Sequence, residues 1–196
     1  PAHPKPLRGF TPLKSTEPAQ QSEPKLYVEL GIGKGDFIST IAAQNPEINF
    51  VGLEAEPTVL YAAARKCREL ELKNVRLAAF NVADIDKIFA DDEIDRLYIN
   101  FCDPWPRNKH AKRRLTNINF LDKYRRILKA GAELHFKTDN RPLFDYSLEQ
   151  FKLLSLDVDH ITFDLHADNP PDNIQTEYER KFSALGSTIN RCVVHF

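Results

Sequence analysis

The chain has 196 residues, with 27 Lys and Arg against 28 Asp and Glu, and therefore a formal charge of −1. This length fits one domain with a sizeable core, and a hydrophobic fraction of 42% excludes a chain that is disordered throughout. No run reaches the roughly 18 apolar residues of a membrane span, and no signal-peptide pattern opens the chain. The net charge by itself argues mildly against a nucleic-acid partner.

Cysteine usage indicates a reducing compartment. Cys67, Cys102 and Cys192 are widely spaced and form no CxxC or Cys/His pair. They predict reduced thiols in a cytoplasmic protein, with neither a disulfide framework nor a metal site. The sequence is compatible with a monomer and with a homodimer.

The hydrophobic pattern predicts an α/β domain over residues 25–196, preceded by a proline-rich tail over residues 1–24. Apolar runs alternate with amphipathic stretches, which is typical of βαβ units and a mostly parallel sheet. Strands are predicted at 26–30, 49–53, 75–80, 97–101, 132–137, 158–165 and 189–194. Helices are predicted at 36–44, 58–72, 118–128 and 142–151, with Gly131 as a stop signal after the third.

A glycine-rich turn follows the first predicted strand, in the segment VELGIGKGD at 28–36. Gly31 and Gly33 match the first two glycines of the dinucleotide fingerprint, but Asp36 replaces the third and would repel a pyrophosphate. Glu29 is better placed to contact a cationic or hydroxyl-bearing ligand. Ligands bind at the carboxyl ends of strands in such sheets, so this turn marks a candidate site.

Two further polar residues end the next predicted strands. Glu54 could accept hydrogen bonds from both hydroxyls of a ribose, and Asn81 could contact an adenine edge through its amide. With Glu29, they favour S-adenosyl-L-methionine, which carries a sulfonium and an amino group but no phosphate. The plainer alternative is that Glu54 caps a helix and the glycines only turn the chain.

The segment DPWP at 103–106 follows the fourth predicted strand. Asp103 would therefore point into the same crevice, and Trp105, stiffened by prolines on both sides, would offer a face on which a planar base can stack. A core anchor is the alternative for Trp105. His135, inside an apolar strand, is predicted to be a packed core histidine.

A basic block comes directly after DPWP and contains no acid. Its charged members are Arg107, Lys109, His110, Lys112, Arg113 and Arg114. Most such runs are solvated surfaces, but the position beside the crevice favours contact with phosphates.

These segments together resemble the bacterial tRNA (guanine-N7-)-methyltransferase family. The resemblance is carried by VELGIGKGDF at 28–37, GLE at 52–54, LYINFCDPWPRNKHAKRRL at 97–115, HFKTDN at 135–140 and TEYERKF at 176–182. It implies the class I methyltransferase fold, a doubly wound sheet with an antiparallel seventh strand, and a guanosine in the variable loop of tRNA as substrate.

The resemblance also implies roles by position. Glu29, Gly31, Gly33, Glu54, Asn81 and Asp103 would line the S-adenosylmethionine site, and Asp103 would also be the catalytic residue. Substrate contacts would come from Arg107, Asp139, Thr176, Glu177, Tyr178 and Glu179. The basic block, from Lys109 to Arg114, would follow the tRNA backbone, with no metal involved. Asn81 stands where the family usually has Asp, and Arg107 where Lys is common.

Two alternatives stay open at this point. An amino-group methyltransferase acting on adenine or glutamine uses a similar loop, although there the aromatic residue follows two prolines, whereas Trp105 separates them here. A non-catalytic RNA-binding protein on the same fold is the second alternative. The acids at three strand ends argue against it.

Overall fold

The protein is described by a computed structural model that covers residues 23–171 and 173–196. Its centre is a seven-stranded sheet in the order β3-β2-β1-β4-β5-β7-β6. Strand β7 runs antiparallel to both of its neighbours, and the pairings among β1 to β5 are parallel. The described helices include none that is long and apolar enough to cross a membrane.

The strands are β1 Leu26–Leu30, β2 Asn49–Glu54, β3 Val75–Ala79, β4 Ile94–Asn100, β5 Leu128–Thr138, β6 Asp157–Thr162 and β7 Asn190–His195. The α-helices are α1 Asp36–Gln44, α2 Pro57–Glu69, α3 Ile118–Ile127, α4 Arg141–Leu153, α5 Leu165–Asp168 and α6 Glu177–Ser183. Two 3₁₀ helices span Val82–Lys87 and Asn108–Arg113.

Helices cover both faces of the sheet, as the alternation of side chains along the strands requires. Val28 and Leu30 of β1 belong to a core cluster that includes α3 and α4 residues, whereas Tyr27 belongs to a second cluster with α1 and α2 residues. The other parallel strands alternate in the same way. The predicted doubly wound α/β fold with a mostly parallel sheet is therefore confirmed, including the antiparallel seventh strand.

Several predicted boundaries differ from the structure, and two of the differences have a clear physical reason. Helix α3 ends at Ile127, and Gly131 lies inside β5 at φ +77, where its N–H donates to the carbonyl of Phe196 at 2.8 Å. The register of β5 against β4 shifts here, so the glycine marks an irregularity within the strand. Strand β6 ends at Thr162, before the predicted 165, because the Asp164 side chain caps α5.

The predicted proline-rich tail falls almost entirely outside the described residues. Only Glu23 and Pro24 belong to both, and they precede β1 without regular structure.

Candidate active site

A cleft of about 480 Å³ opens at the carboxyl edge of the sheet, between the turn after β1 and helix α6. It brings together six of the predicted site residues, Glu29, Gly31, Gly33, Thr176, Glu177 and Tyr178. Asn100 and Phe101, at the end of β4, form another part of its wall. The cleft therefore lies where an open parallel sheet places ligands.

Glu29 is the most unusual carboxyl group of the cleft. It is 3% exposed, and its Oε1 accepts a hydrogen bond from the Asn100 amide at 2.9 Å. Its Oε2 is buried and has no hydrogen-bond partner within the described part of the chain. Burial raises the pKa of Glu29 to about 8, although the Asn100 amide and the nearby Lys137 ammonium oppose this shift. An unpartnered buried acceptor on a cleft wall fits a ligand that supplies positive charge or N–H donors.

Glu54 organises the glycine turn. Its Oε2 accepts from the N–H of Gly33 at 3.0 Å, and its Oε1 accepts from the N–H of Glu56 at 3.0 Å. Helix α2 is capped by the Glu56 side chain, so the helix-capping alternative for Glu54 does not hold. A carboxylate oxygen has a second lone pair, so Glu54 can still accept a hydrogen bond from a ribose hydroxyl.

Glycine 35 determines how closely α1 packs on α2. It has φ +79, and a Cβ built there would lie 2.7 Å from the Cβ of Ala63. Only glycine satisfies both conditions, so Gly35 lets the start of α1 pack closely against α2.

Asn81 lies outside the lining of the cleft. It is exposed and caps the 3₁₀ helix Val82–Lys87, accepting from the N–H of Ala83 at 3.0 Å. Its NH₂ group remains a potential donor, so an adenine contact for Asn81 stays a prediction.

Helix α6 forms the wall opposite the glycine turn. Thr176 caps it by accepting from the N–H of Glu179 at 2.9 Å. Two ion pairs join it to the region after β1, Lys34 with Glu177 at 3.2 Å and Arg180 with Asp36 at 2.9 Å. Helix α6, whose residues belong to the TEYERKF segment, is thus part of the site.

Tyr178 is hydrogen-bonded to Asp139, a second predicted substrate residue, and packs against two aromatic rings. Its ring stacks on Phe182, with centroids 4.2 Å apart, and lies 5.1 Å from the ring of Phe101. Its hydroxyl donates to Asp139 Oδ2 at 3.1 Å. A flat aromatic surface and a carboxylate therefore lie side by side at the cleft.

Glu179 does not face the cleft, and its predicted substrate contact is therefore corrected. It is fully buried, pairs with Lys137 at 2.7 Å and accepts from the Asn173 amide at 2.9 Å. Successive residues of a helix are turned by about 100° from one another, because there are about 3.6 residues in each turn. Glu177 and Tyr178 reach the cleft, while Glu179 packs toward the sheet.

The DPWP loop keeps a strained backbone. Phe101 has φ +53 and Trp105 has φ +42, a region that non-glycine residues rarely adopt. Asp103 lies between them, is exposed and, like Asn81, stands outside the lining of the cleft, so its predicted place in the crevice stays a prediction. A strained segment of this kind needs strong support from its surroundings.

Arg114 supplies that support, and its predicted contact with the RNA backbone is therefore corrected. It is 8% exposed and donates to the carbonyls of Pro104 at 3.1 Å and Trp105 at 3.0 Å. Its guanidinium also lies over the Tyr146 ring, 4.3 Å from the centroid. The fork of Arg N–H donors suits two adjacent carbonyls.

The rest of the basic block surrounds Trp105 or reaches solvent. The Arg113 guanidinium lies 4.8 Å from the Trp105 ring centroid, and the half-buried His110 ring meets the same ring edge-on at 5.8 Å. Arg107, Lys109 and Lys112 are exposed. Trp105 is half-buried, and its stacking on a base stays a prediction.

His135 packs as predicted from the sequence. It is half-buried, its Nε2 lies 2.8 Å from Glu133 Oε2, and its ring contacts Tyr98. Burial lowers the pKa of His135 to about 4. The described residues contain no group of three or more His, Cys, Asp or Glu that could hold a metal ion.

Sequence reasoning missed Asn100 and Lys137, which contact the predicted acids. They are register partners at the ends of β4 and β5, and both are buried. The available signal was a polar residue ending an otherwise apolar strand. Such residues indicate a site only when a neighbouring strand is known to end beside them.

The sheet order, the antiparallel β7 and the glycine turn with acids at the ends of β1 and β2 define the Rossmann-like fold of class I methyltransferases. Two solved structures share this fold. A SAM-dependent methyltransferase from Aquifex aeolicus matches with a TM-score of 0.56 at 13% identity, covering 87% of this chain and 80% of that one. An antibiotic-related methyltransferase matches with a TM-score of 0.63 at 13% identity, covering 88% and 87%.

Sequence comparison identifies the family to which the chain belongs within this fold class. The model of a family described as putative methyltransferase matches residues 23–192. A tRNA (guanine-N(7)-)-methyltransferase of Staphylococcus epidermidis is 46% identical, covering 90% of this chain and 82% of the relative. The enzyme of the same name from Bacillus subtilis is 45% identical, covering 87% and 80%. The chain belongs to the bacterial tRNA (guanine-N7-)-methyltransferase family.

Proposed function

We propose that this protein methylates N7 of a guanosine in the variable loop of tRNA, using S-adenosyl-L-methionine. The observation that carries the proposal is the 46% identity to the Staphylococcus epidermidis enzyme over 90% of the chain. The cleft supports it, because its unpartnered acid and glycine turn suit a cationic nucleoside without phosphate. The reduced thiols and a tRNA substrate fit a cytoplasmic enzyme.

S-adenosylmethionine supplies an electrophilic methyl group when it is bound. Glu29 would accept donors from its amino acid portion, Glu54 would accept from the ribose hydroxyls and Asn81 would contact the adenine edge. Gly31 and Gly33 would let the backbone approach the ligand closely.

Guanine N7 has a lone pair and no proton, so its methylation requires no prior deprotonation. The ring becomes cationic as the bond forms. Asp103, an exposed carboxylate fixed between two strained residues, would orient the base and stabilise this positive charge. Trp105, supported by Arg113 and His110, and Tyr178, bonded to Asp139, offer flat surfaces for the guanine.

Exposed cations of the basic block would hold the tRNA backbone. Arg107, Lys109 and Lys112 lie on the loop and 3₁₀ helix that follow the DPWP segment. Phosphate contacts of this kind position an RNA without specifying a base.

The test is transfer of a labelled methyl group from S-adenosylmethionine to unmodified tRNA, followed by nucleoside identification. We expect 7-methylguanosine. N6-methyladenosine would instead support the amino-group alternative, and tRNA binding without any labelled product would support a non-catalytic RNA-binding protein.

A further inference from the structure

A buried ammonium group, Lys137 Nζ, lies behind the cleft at the end of β5. It donates to Glu179 Oε2 at 2.7 Å, to the carbonyl of Ile174 at 2.9 Å and to Asn173 Oδ1 at 3.0 Å. Asn173 in turn donates to the other oxygen of Glu179 at 2.9 Å. The lysine side chain is 7% exposed and that of Glu179 is fully buried. One cation thus satisfies three acceptors from a single segment, residues 173–179.

That segment is the wall of the cleft. Residues 173–176 lead without regular structure into the seven-residue helix α6, which bears Glu177 and Tyr178. A helix this short has little stability of its own and depends on tertiary contacts. Besides Lys137, the ion pairs and hydrogen bonds that join it to the rest of the described chain include Lys34–Glu177, Arg180–Asp36 and Tyr178–Asp139, and His166 Nε2 lies 3.3 Å from Glu179 Oε1. Exposed pairs of this kind contribute little to stability.

Lys137 also acts on the opposite wall. Its positive charge favours the ionised form of Glu29, which is buried on β1. The other groups that face Glu29 are the Asn100 amide of β4, the backbone N–H of Ile38 in α1 and the Glu54 carboxylate of β2. Burial and the Arg191 guanidinium of β7 lower the pKa of Lys137 itself, whereas Glu179 opposes this shift.

We propose that Lys137 is a positioning residue for methyl transfer. Through Glu179, Asn173 and the Ile174 carbonyl it holds α6, which bears Glu177 and Tyr178, against the cleft. This inference rests on the proposed function. Lys137 stands outside the lining of the cleft, and Glu179 acts through Lys137.

The first experiment is the substitution Lys137→Met, with kcat and KM for tRNA measured beside the affinity for S-adenosylmethionine. Misplacement of a reacting group by about 1 Å can cost ~100-fold in rate, so we expect kcat to fall by about this factor. We expect KM for tRNA to rise as well. Loss of the cation should also move the pH at which S-adenosylmethionine binding strengthens to a higher value, which a purely structural lysine would not do.

The single substitution leaves Glu179 buried and uncompensated, so it can unfold the protein. The double variant Lys137→Met/Glu179→Leu removes both charges, and replacing a buried ion pair with apolar side chains is often neutral for stability. The double variant still lacks the tethers to Asn173 and Ile174. We expect it to fold, as judged by its thermal unfolding, and to remain about as slow as Lys137→Met.

Lys129→Met is the matched control. Lys129 lies on the same strand and pairs with Asp95 at 2.8 Å, far along β5 from the cleft edge. It should leave kcat and the pH dependence unchanged. A folded double variant with wild-type kcat, KM and pH dependence would overturn the positioning role. Failure of the wild-type protein to form 7-methylguanosine would overturn the proposed function instead, so the two failures are distinguishable.

Discussion

Asp103 combines solvent access with a fixed backbone position. It lies between Phe101 and Trp105, both at positive φ, in a loop that Arg114 ties down through two carbonyls. A carboxylate held in advance where positive charge develops stabilises a transition state without reorganisation. Its side chain is exposed, so its removal leaves no cavity in the core.

We therefore expect Asp103→Ala to lower kcat by roughly 100- to 1,000-fold, as the loss of one electrostatic contact does elsewhere. Thermal unfolding should be unchanged, and the affinity for S-adenosylmethionine should be largely retained. Steady-state methyl transfer to tRNA measures the first quantity and calorimetry the last. Near-normal turnover would remove Asp103 from the catalytic role.

Glu29 predicts a pH dependence of cofactor binding. Burial raises its pKa from 4.5 to about 8, so the free protein carries the protonated acid at neutral pH. A cationic ligand favours the carboxylate, and affinity should therefore rise up to about tenfold per pH unit as pH approaches 8. Glu29→Gln should lack this rise. Because titration of the ligand itself is common to both proteins, the difference between their calorimetric curves isolates Glu29. Parallel curves would contradict the assignment.

The same shift has a consequence for stability. The unfolded chain releases the proton of Glu29 near its ordinary pKa of 4.5, whereas the folded protein retains it up to about 8. The free energy of unfolding contributed by this group therefore falls as pH rises between these values, by a few kcal/mol in total. Urea unfolding of wild type and Glu29→Gln across this range should show it.

At the scale of the element, the DPWP loop depends on a residue of the basic block. Arg114 donates to the carbonyls of Pro104 and Trp105 and covers Tyr146. We expect Arg114→Met to lower stability by about 2 kcal/mol, because hydrogen bonds to charged groups contribute about 1.5–3 kcal/mol. It should also lower kcat by at least tenfold through displacement of Asp103. Thermal unfolding and methyl-transfer kinetics measure the two effects.

Two further substitutions serve as controls for the Arg114→Met prediction. Arg114→Lys keeps the charge but not the planar fork of donors, so it should rescue activity only in part. Lys112→Met, two residues away and exposed, should leave stability and the kcat at saturating tRNA unchanged, with its effect confined to KM for tRNA. Equal losses in Arg114→Met and Lys112→Met would indicate that charge alone matters and would contradict a role in holding the loop.

Element boundaries were predictable where local and tertiary preferences agree. The predicted bounds of β1 and α1 match the structure, since the glycine turn separates an apolar strand from an amphipathic helix. Strand β5 begins earlier than predicted because pairing with β4 captures residues that follow α3 directly. The position of Gly131 within that strand depends on the hydrogen bond from its N–H to the carbonyl of Phe196. The local sequence pattern around β5 identifies neither β4 nor Phe196 as a partner.

At the scale of the molecule, the near-zero net charge conceals two segregated regions. Residues 104–121 contain five cations and no acid, whereas residues 153–179 contain seven acids and no Lys or Arg. The net charge therefore adds a basic segment that suits a polyanion to an acidic segment that repels one, and the two contributions cancel.

Binding of tRNA should consequently weaken steeply with salt. Each phosphate contact contributes a slope of roughly one log unit of affinity per log unit of salt. We expect Lys109→Ala/Lys112→Ala to flatten the slope by about two units, whereas Lys129→Ala, whose lysine pairs with Asp95, should leave it unchanged. Filter binding at several salt concentrations measures the slopes. Identical slopes in all three proteins would exclude this block as the contact surface.

The amino-acid sequence by itself determined the α/β fold, the glycine turn and the set of polar residues at strand ends, because these follow from periodicity and from local backbone preferences. Only the tertiary structure decided which of those residues face the cleft. Glu179 and Arg114 stand in motifs that suggest ligand contact, yet one is paired with Lys137, 42 residues away, and the other supports a loop. The physical reason is that burial and pairing depend on contacts between segments that are distant in sequence. The identity of a charged residue does not show whether its partner is a ligand or another side chain of the protein.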